Sequence, residues 1–193
     1  MEKEATLNNP IFPNNSRGSD IMHQYLAQIA TLLKIPVTRL DVSTVIDGIE
    51  TAGGLQTCGL VQMPPGPNTA EIYWNHIPHG ISVAIQDLQR SYSGDDKLTI
   101  MMFYLSQFPG CCGVAVSHNA WVHSSLRHKG LNNLGMKLRM DLARAAGYSY
   151  LLMSDKESNQ YSLLTMEKNG VAKLADFINR RTYNRVQIRG IKL

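Results

Sequence analysis

A chain of 193 residues with 44% apolar and 18% charged residues can bury one sizeable core and is too short for two comfortable domains. That composition excludes a disordered chain, and no run of residues approaches the roughly 18 apolar positions that a membrane span requires. A net charge of +4 is modest, and Met1-Glu2-Lys3-Glu4-Ala5 opens no secretory signal, so a cytoplasmic protein that does not enter the membrane is expected.

Residues 1–19 hold Asn8-Asn9-Pro10, Pro13-Asn14-Asn15 and Ser16-Arg17-Gly18 with little apolar periodicity, which reads as a flexible arm ahead of a single domain over 20–193. Asp20 can cap a helix in which Met22, Tyr25, Leu26, Ile29, Leu32 and Leu33 recur at helical spacing until Pro36. Short strands are expected between Val37 and Met63, where Gly53-Gly54 and Gly59 interrupt the pattern. A loop at Pro64–Asn68 and a strand over Thr69–Trp74 follow. The spacing of Ile81, Ala84, Ile85, Leu88 and Tyr92 predicts a second amphipathic helix, closed by Ser93-Gly94. Lys97–Leu105 is nearly all apolar and suits a central strand buried on both faces. After the turn Phe108-Pro109-Gly110, Gly113–Val122 is a further strand, with a bend expected at Ser117-His118-Asn119.

The last seventy residues repeat strand and helix more plainly. Leu131, Leu134, Leu138, Leu142 and Ala145 form a helical stripe from about Asn132 to Ala146, and Gly147 can end it in a left-handed cap. A strand over Tyr148–Met153, a short helix over Asn159–Lys168 and two closing strands over Ala172–Asn179 and Val186–Leu193 complete the order.

Three groups of residues carry little chemistry of their own. Cys58, Cys111 and Cys112 fit a reducing compartment, lack metal-ligand spacing and are expected to be buried small apolar residues. His76-x-x-His79 has Pro78 between its histidines and no nearby acidic or cysteine partner, so no metal is expected. The late cluster Arg180, Arg181, Arg185, Arg189 and Lys192 suits a solvated strand face, although its field also attracts phosphate-rich partners.

The turn Arg127-His128-Lys129-Gly130-Leu131-Asn132 is the segment with the clearest chemical content. It joins a strand to a helix, and a helix start offers unpaired N–H groups and the positive end of a dipole to a pyrophosphate. Gly130 removes the side chain where backbone must approach phosphate closely. Arg127 and Lys129 add charge, and Asn132 is a candidate helix cap.

This last stretch resembles the GNAT acetyltransferase superfamily, whose signature is a valine-ending strand followed by Arg/Gln-x-x-Gly-x-Gly/Ala at the start of a long helix. Here Val122 ends the strand and Asn132 replaces the final small residue. The segment from Asn159 through Tyr161, Met166 and Lys168 to Gly170-Val171 is similar to the family's Asn-x-x-Ala-x-x-Leu-Tyr-x-Lys-x-Gly-Phe pattern, and the resemblance covers roughly residues 97–193. It implies an α+β fold: a mixed, mostly antiparallel sheet flanked by helices, with two splayed parallel strands that bind CoA. Trp121 and Val122 would pair with the pantetheine arm, the amides from His128 through Leu131 to Asn132 would hold the pyrophosphate, and Asn159 would bond near the pantetheine. Acetyl-CoA would be the cosubstrate and an unidentified amine the acceptor.

Proton transfer is where the chain departs from the family. The family's usual tyrosine acid is replaced by Met166, which has no proton to give. Tyr161, on a different face of the same helix, is the substitute candidate. His118 is the candidate base, since strand alternation puts it on one face with Val116, Ala120 and Val122, and a histidine titrates near neutrality. Two alternatives stay open: a catalytically degenerate CoA-binding or interaction module, and a nucleic-acid modifier. The latter rests on the basic tail and on a resemblance of the carboxyl-terminal segment to the phage-encoded Mom-type DNA base-modifying branch. The acceptor and the oligomeric state are not legible.

Overall fold

Helix α1 (Ser16–Leu33) begins ahead of the expected start at Asp20 and turns Met22, Tyr25 and Ile29 into the interior. Lys34 in the left-handed region and Pro36 beyond it stop the helix. The structure is a computed structural model that describes residues 16–46, 80–88, 98–108 and 111–193. The expected loop at 64–68, the strand at 69–74, the first part of the arm, His76, His79, Cys58 and the close at Ser93-Gly94 lie outside those residues.

Strands β1 (Leu40–Ile46), β2 (Gly80–Asp87), β3 (Leu98–Phe108), β4 (Cys111–Val122), β5 (Tyr150–Lys156), β6 (Ala172–Ile178) and β7 (Arg185–Lys192) form one sheet in the order β1-β2-β3-β4-β5-β7-β6. Every neighbouring pair is antiparallel except β4 with β5. This is the mixed, mostly antiparallel sheet with one parallel pair that was expected. Helices α2 (Leu131–Ala145) and α3 (Gln160–Lys168) close the crossovers after β4 and β5.

Over Ile81–Asp87 the expected helix is instead strand β2, and its remainder to Tyr92 runs beyond the described residues after Leu88. Ile81, Ala84, Ile85 and Leu88 fit helical spacing, but Val83, Ile85 and Asp87 alternate with Ala84 and Gln86, and the first three are the buried set. Over so short a run the two periods overlap, and Val and Ile favour the pleated form. The end of β2 is fixed by Arg39, whose Nε and Nη2 donate to the two oxygens of the buried Asp87 at 3.1 and 2.7 Å.

Helix α2 lies against the sheet close to β3, where a Cβ added at Gly135 would stand 3.5 Å from Met101 Sδ. Leu134, Leu138 and Leu142 are buried, as their spacing predicts. Tyr25 Oη donates to Asp141 Oδ2 at 2.6 Å, tying α1 to α2. Asn132 Nδ2 donates to Thr165 Oγ1 at 3.1 Å and Asn169 Nδ2 to Asn133 Oδ1 at 2.7 Å, tying α3 to α2. Two surface expectations change. Cys111 is exposed at the start of β4 rather than buried. Arg189 is not part of a solvated face: it is buried, and its Nη2 donates to Glu167 Oε1 at 2.8 Å, whereas Arg180, Arg181 and Arg185 are exposed. No helix among the described residues is long and apolar enough to cross a membrane.

Candidate functional site

The parallel pair is short. Val114 to Ser117 of β4 match Tyr150 to Met153 of β5, and there the pairing ends. Beyond it β4 continues to Val122 on β3 alone, while Ser154–Lys156 of β5 pair with β7. Among the described residues, one edge of β4 therefore has no strand partner over its last five residues, His118 to Val122, a length of about 16 Å at strand rise. Such an edge presents backbone N–H and C=O groups to an extended, amide-bearing ligand.

That edge runs into the turn before α2. His123 starts a 3₁₀ turn, Ser124–Leu126, with its Nδ1 accepting from Ser125 N–H at 3.3 Å. Arg127 Nε donates back to the Val122 carbonyl at 3.3 Å. His128 and Gly130 are both left-handed, with φ of 64° and 82°. Gly130 caps α2, and the first bond from the helix to this turn is Leu134 N–H to the Gly130 carbonyl at 3.1 Å, so the preceding amides face out of the helix end. A Cβ at Gly130 would meet nothing within 4 Å, since it would point into open space.

A cavity of about 430 Å³ occupies this corner, within the usual range for small-molecule sites. Of the residues expected to bind a cofactor, Trp121, Val122, Arg127, His128, Gly130, Leu131, Asn132 and Asn159 all line it, and only Lys129 does not. Asn132 is not the cap it was expected to be. It sits within the first turn of α2, and its amide is spent on Thr165. Asn159 precedes α3 without capping it by side chain, and its Nδ2 donates to both oxygens of Asp155 at 3.1 and 2.9 Å.

His118 stands at the head of the open edge, where pairing with β5 has just ended. Asn119 has φ of 54° and the register with β3 slips there, as in a β-bulge, which places the expected bend. The bulge resets the alternation. His118 pairs with Tyr104 and Trp121 with Met102, whereas Ser117 pairs with Leu105 and Val122 with Met101. His118 therefore shares its face with Trp121 and not, as expected, with Val122. Its ring packs edge-on to Tyr104 with centroids 4.3 Å apart, and its Nδ1 lies 3.2 Å from Asn119 Nδ2, an arrangement in which Nδ1 accepts. Only 6% of the residue is exposed. Burial pushes its pKa from 6.5 down to about 3, so the near-neutral titration expected of a base is absent.

The two acid positions also separate. Met166 is buried in the core and lies outside the cavity lining, while Tyr161 is 73% exposed at the cavity mouth. Sequence reasoning missed Arg139. This guanidinium, 4% exposed, reaches from the middle of α2 to the point where β4 and β5 part. Its Nη1 donates to Ser117 Oγ at 2.9 Å and its Nε to the Gly135 carbonyl at 3.1 Å. Burial lowers its pKa to about 10, which leaves it charged at neutral pH. Arg139 adjoins Leu138 just as the exposed Lys137 does, so the sequence held no signal that set it apart.

No protein-family profile matches the sequence, and no curated protein does either. Solved structures do match in fold. A GNAT family acetyltransferase from Elizabethkingia anophelis with acetyl-CoA bound superposes with a TM-score of 0.55 at 14% identity, covering 80% of this chain and 99% of that one. An IAA acetyltransferase from Bacillus cereus gives 0.53 at 14% identity, over 80% of this chain and 99% of its own. A Bacillus subtilis acetyltransferase in complex with CoA gives 0.50 at 15%, over 79% and 99%. The chain has a GNAT-like fold: among the described residues, a mixed seven-stranded sheet with three helices and the parallel pair β4–β5.

Proposed function

We propose that the chain is an acyltransferase that moves an acetyl group from acetyl-CoA to an amine. The observation that carries this reading is the continuity of one cavity from the outward-facing amides of the α2 start to the open edge of β4. The residues fit the cosubstrate. Gly130, left-handed with open space where a Cβ would stand, leaves room for a pyrophosphate against the amides of His128 to Asn132. Arg127 and Lys129 add positive charge, and the backbone of Trp121 and Val122 suits the amide-rich pantetheine arm as an added strand. Asn159, on the facing wall, borders the same space. Bound there, acetyl-CoA supplies a thioester whose carbonyl carbon an amine attacks, with loss of the thiolate.

The chain's own part in that chemistry is orientation more than proton transfer. His118 is held neutral by burial and lies outside the cavity lining, so it does not serve as a titrating base. The acceptor must then arrive as free amine and give its proton to solvent. Met166 lies in the core, which leaves the thiolate to solvent as well. The same two observations favour a second reading, a module that binds the cosubstrate and transfers nothing. A thiol-release assay with acetyl-CoA and a panel of small amines, peptides and oligonucleotides separates them. Transfer to an amine is expected, with a rate that rises with the acceptor's own deprotonation and shows no histidine limb near pH 6–7. A protein that binds acetyl-CoA yet releases no thiol with any acceptor is the binding module.

A further inference from the structure

We propose that His128 and Tyr161 form an aromatic seat for the adenine base of the cosubstrate's nucleotide end; this rests on the acetyl-CoA reading above. The two rings come from facing walls of the cavity, His128 from the turn before α2 and Tyr161 from the first turn of α3. Their centroids are 5.2 Å apart with planes at 78°, an edge-to-face corner.

The walls are held in register. Thr165 Oγ1 donates to the Tyr161 carbonyl at 2.8 Å and accepts from Asn132 Nδ2 at 3.1 Å, so the Tyr161 turn is tied to the start of α2. Tyr161 does not belong to the core. The buried side chains of α3 are Leu163 and Met166, and the tyrosine is 73% exposed. A large aromatic surface left in water gains from any flat apolar group laid on it.

Direction points to the same corner. With the pyrophosphate at the α2 amides, the pantetheine arm runs inward along β4 toward His118. The other side of the pyrophosphate carries the nucleoside, which leaves through the mouth where these rings stand. Every base has a π-face, and an aromatic corner accepts it without base-specific hydrogen bonds. Tyr161 thus acts as a binding residue and not as the proton donor expected of it.

Calorimetry with two ligands tests this: CoA, and 4′-phosphopantetheine, which lacks the adenosine. Tyr161→Ala should weaken CoA by about tenfold, within the range of one base–aromatic stack, and leave 4′-phosphopantetheine unchanged. His128→Ala should act in the same direction, and Tyr161→Phe should retain CoA affinity because the ring remains. Equal losses for both ligands, or no loss for CoA in a folded Tyr161→Ala variant, overturn the aromatic seat while leaving the transferase reading intact. If the unaltered protein fails to bind CoA, the proposed function falls and this inference with it.

Discussion

The neutral, buried imidazole of His118 couples stability to pH. Its pKa is about 3 in the folded protein against 6.5 for an ordinary histidine, so the unfolded chain binds the extra proton first. Its contribution is complete above pH 6.5 and is lost as pH falls toward 3. Between pH 7 and 4.5 the loss is about 2–3 kcal/mol at 1.36 kcal/mol per pH unit below 6.5. Urea unfolding at those two pH values should therefore show a shallower acid dependence in His118→Gln than in the unaltered protein, by about that amount. Parallel acid limbs would mean that the ring is not held neutral by burial. The sequence put His118 on β4 but not on its face, because strict alternation was carried through the expected bend, where the left-handed Asn119 resets it. At Gly130 the sequence marked the turn but not the cap, which was expected at Asn132 and falls on the left-handed Gly130 itself.

The helices are held to each other by polar ties as well as by the core, and α1 is the clearest example. Tyr25 Oη bonds Asp141 Oδ2 at 2.6 Å, and burial together with that bond raises the tyrosine's pKa well above its usual range. Arg144 Nη1 also bonds Asp141 Oδ1 at 2.7 Å, so the carboxylate keeps a partner when the tyrosine hydroxyl is removed. Tyr25→Phe should cost about 1–2 kcal/mol, near the lower end for a hydrogen bond to a charged group. Chemical denaturation measures it, and an unchanged midpoint would show that α1 docks through its apolar face alone. Elements were legible where short-range signals agreed. Gly147 and Gly170, both left-handed with φ of 86° and 76°, close α2 and α3 where the sequence placed their ends. Strand β2 was not legible, because eight residues carry too few repeats to separate a period of 2 from one of 3.6.

At the scale of the molecule, periodicity supplied strands and helices but no strand order. That the strand ending at Val122 and the one starting near Tyr148 are parallel neighbours that diverge was expected from the family resemblance of the last hundred residues, and in the sheet their pairing ends at Ser117 and Met153. The buried Arg139 at that parting depends on long-range packing, and nothing short-range in the sequence says that its partner is Ser117. The proposed site is one corner of the molecule, where the start of α2, the end of β4 and the turn before α3 meet around Gly130. Isothermal calorimetry of acetyl-CoA with the unaltered protein and with Gly130→Asp tests it most directly. A carboxylate at that position puts bulk and negative charge where the pyrophosphate would lie. The expected result is measurable binding by the unaltered protein and none by a Gly130→Asp variant whose circular dichroism is that of the folded chain. Equal affinity in the two folded proteins would contradict the account.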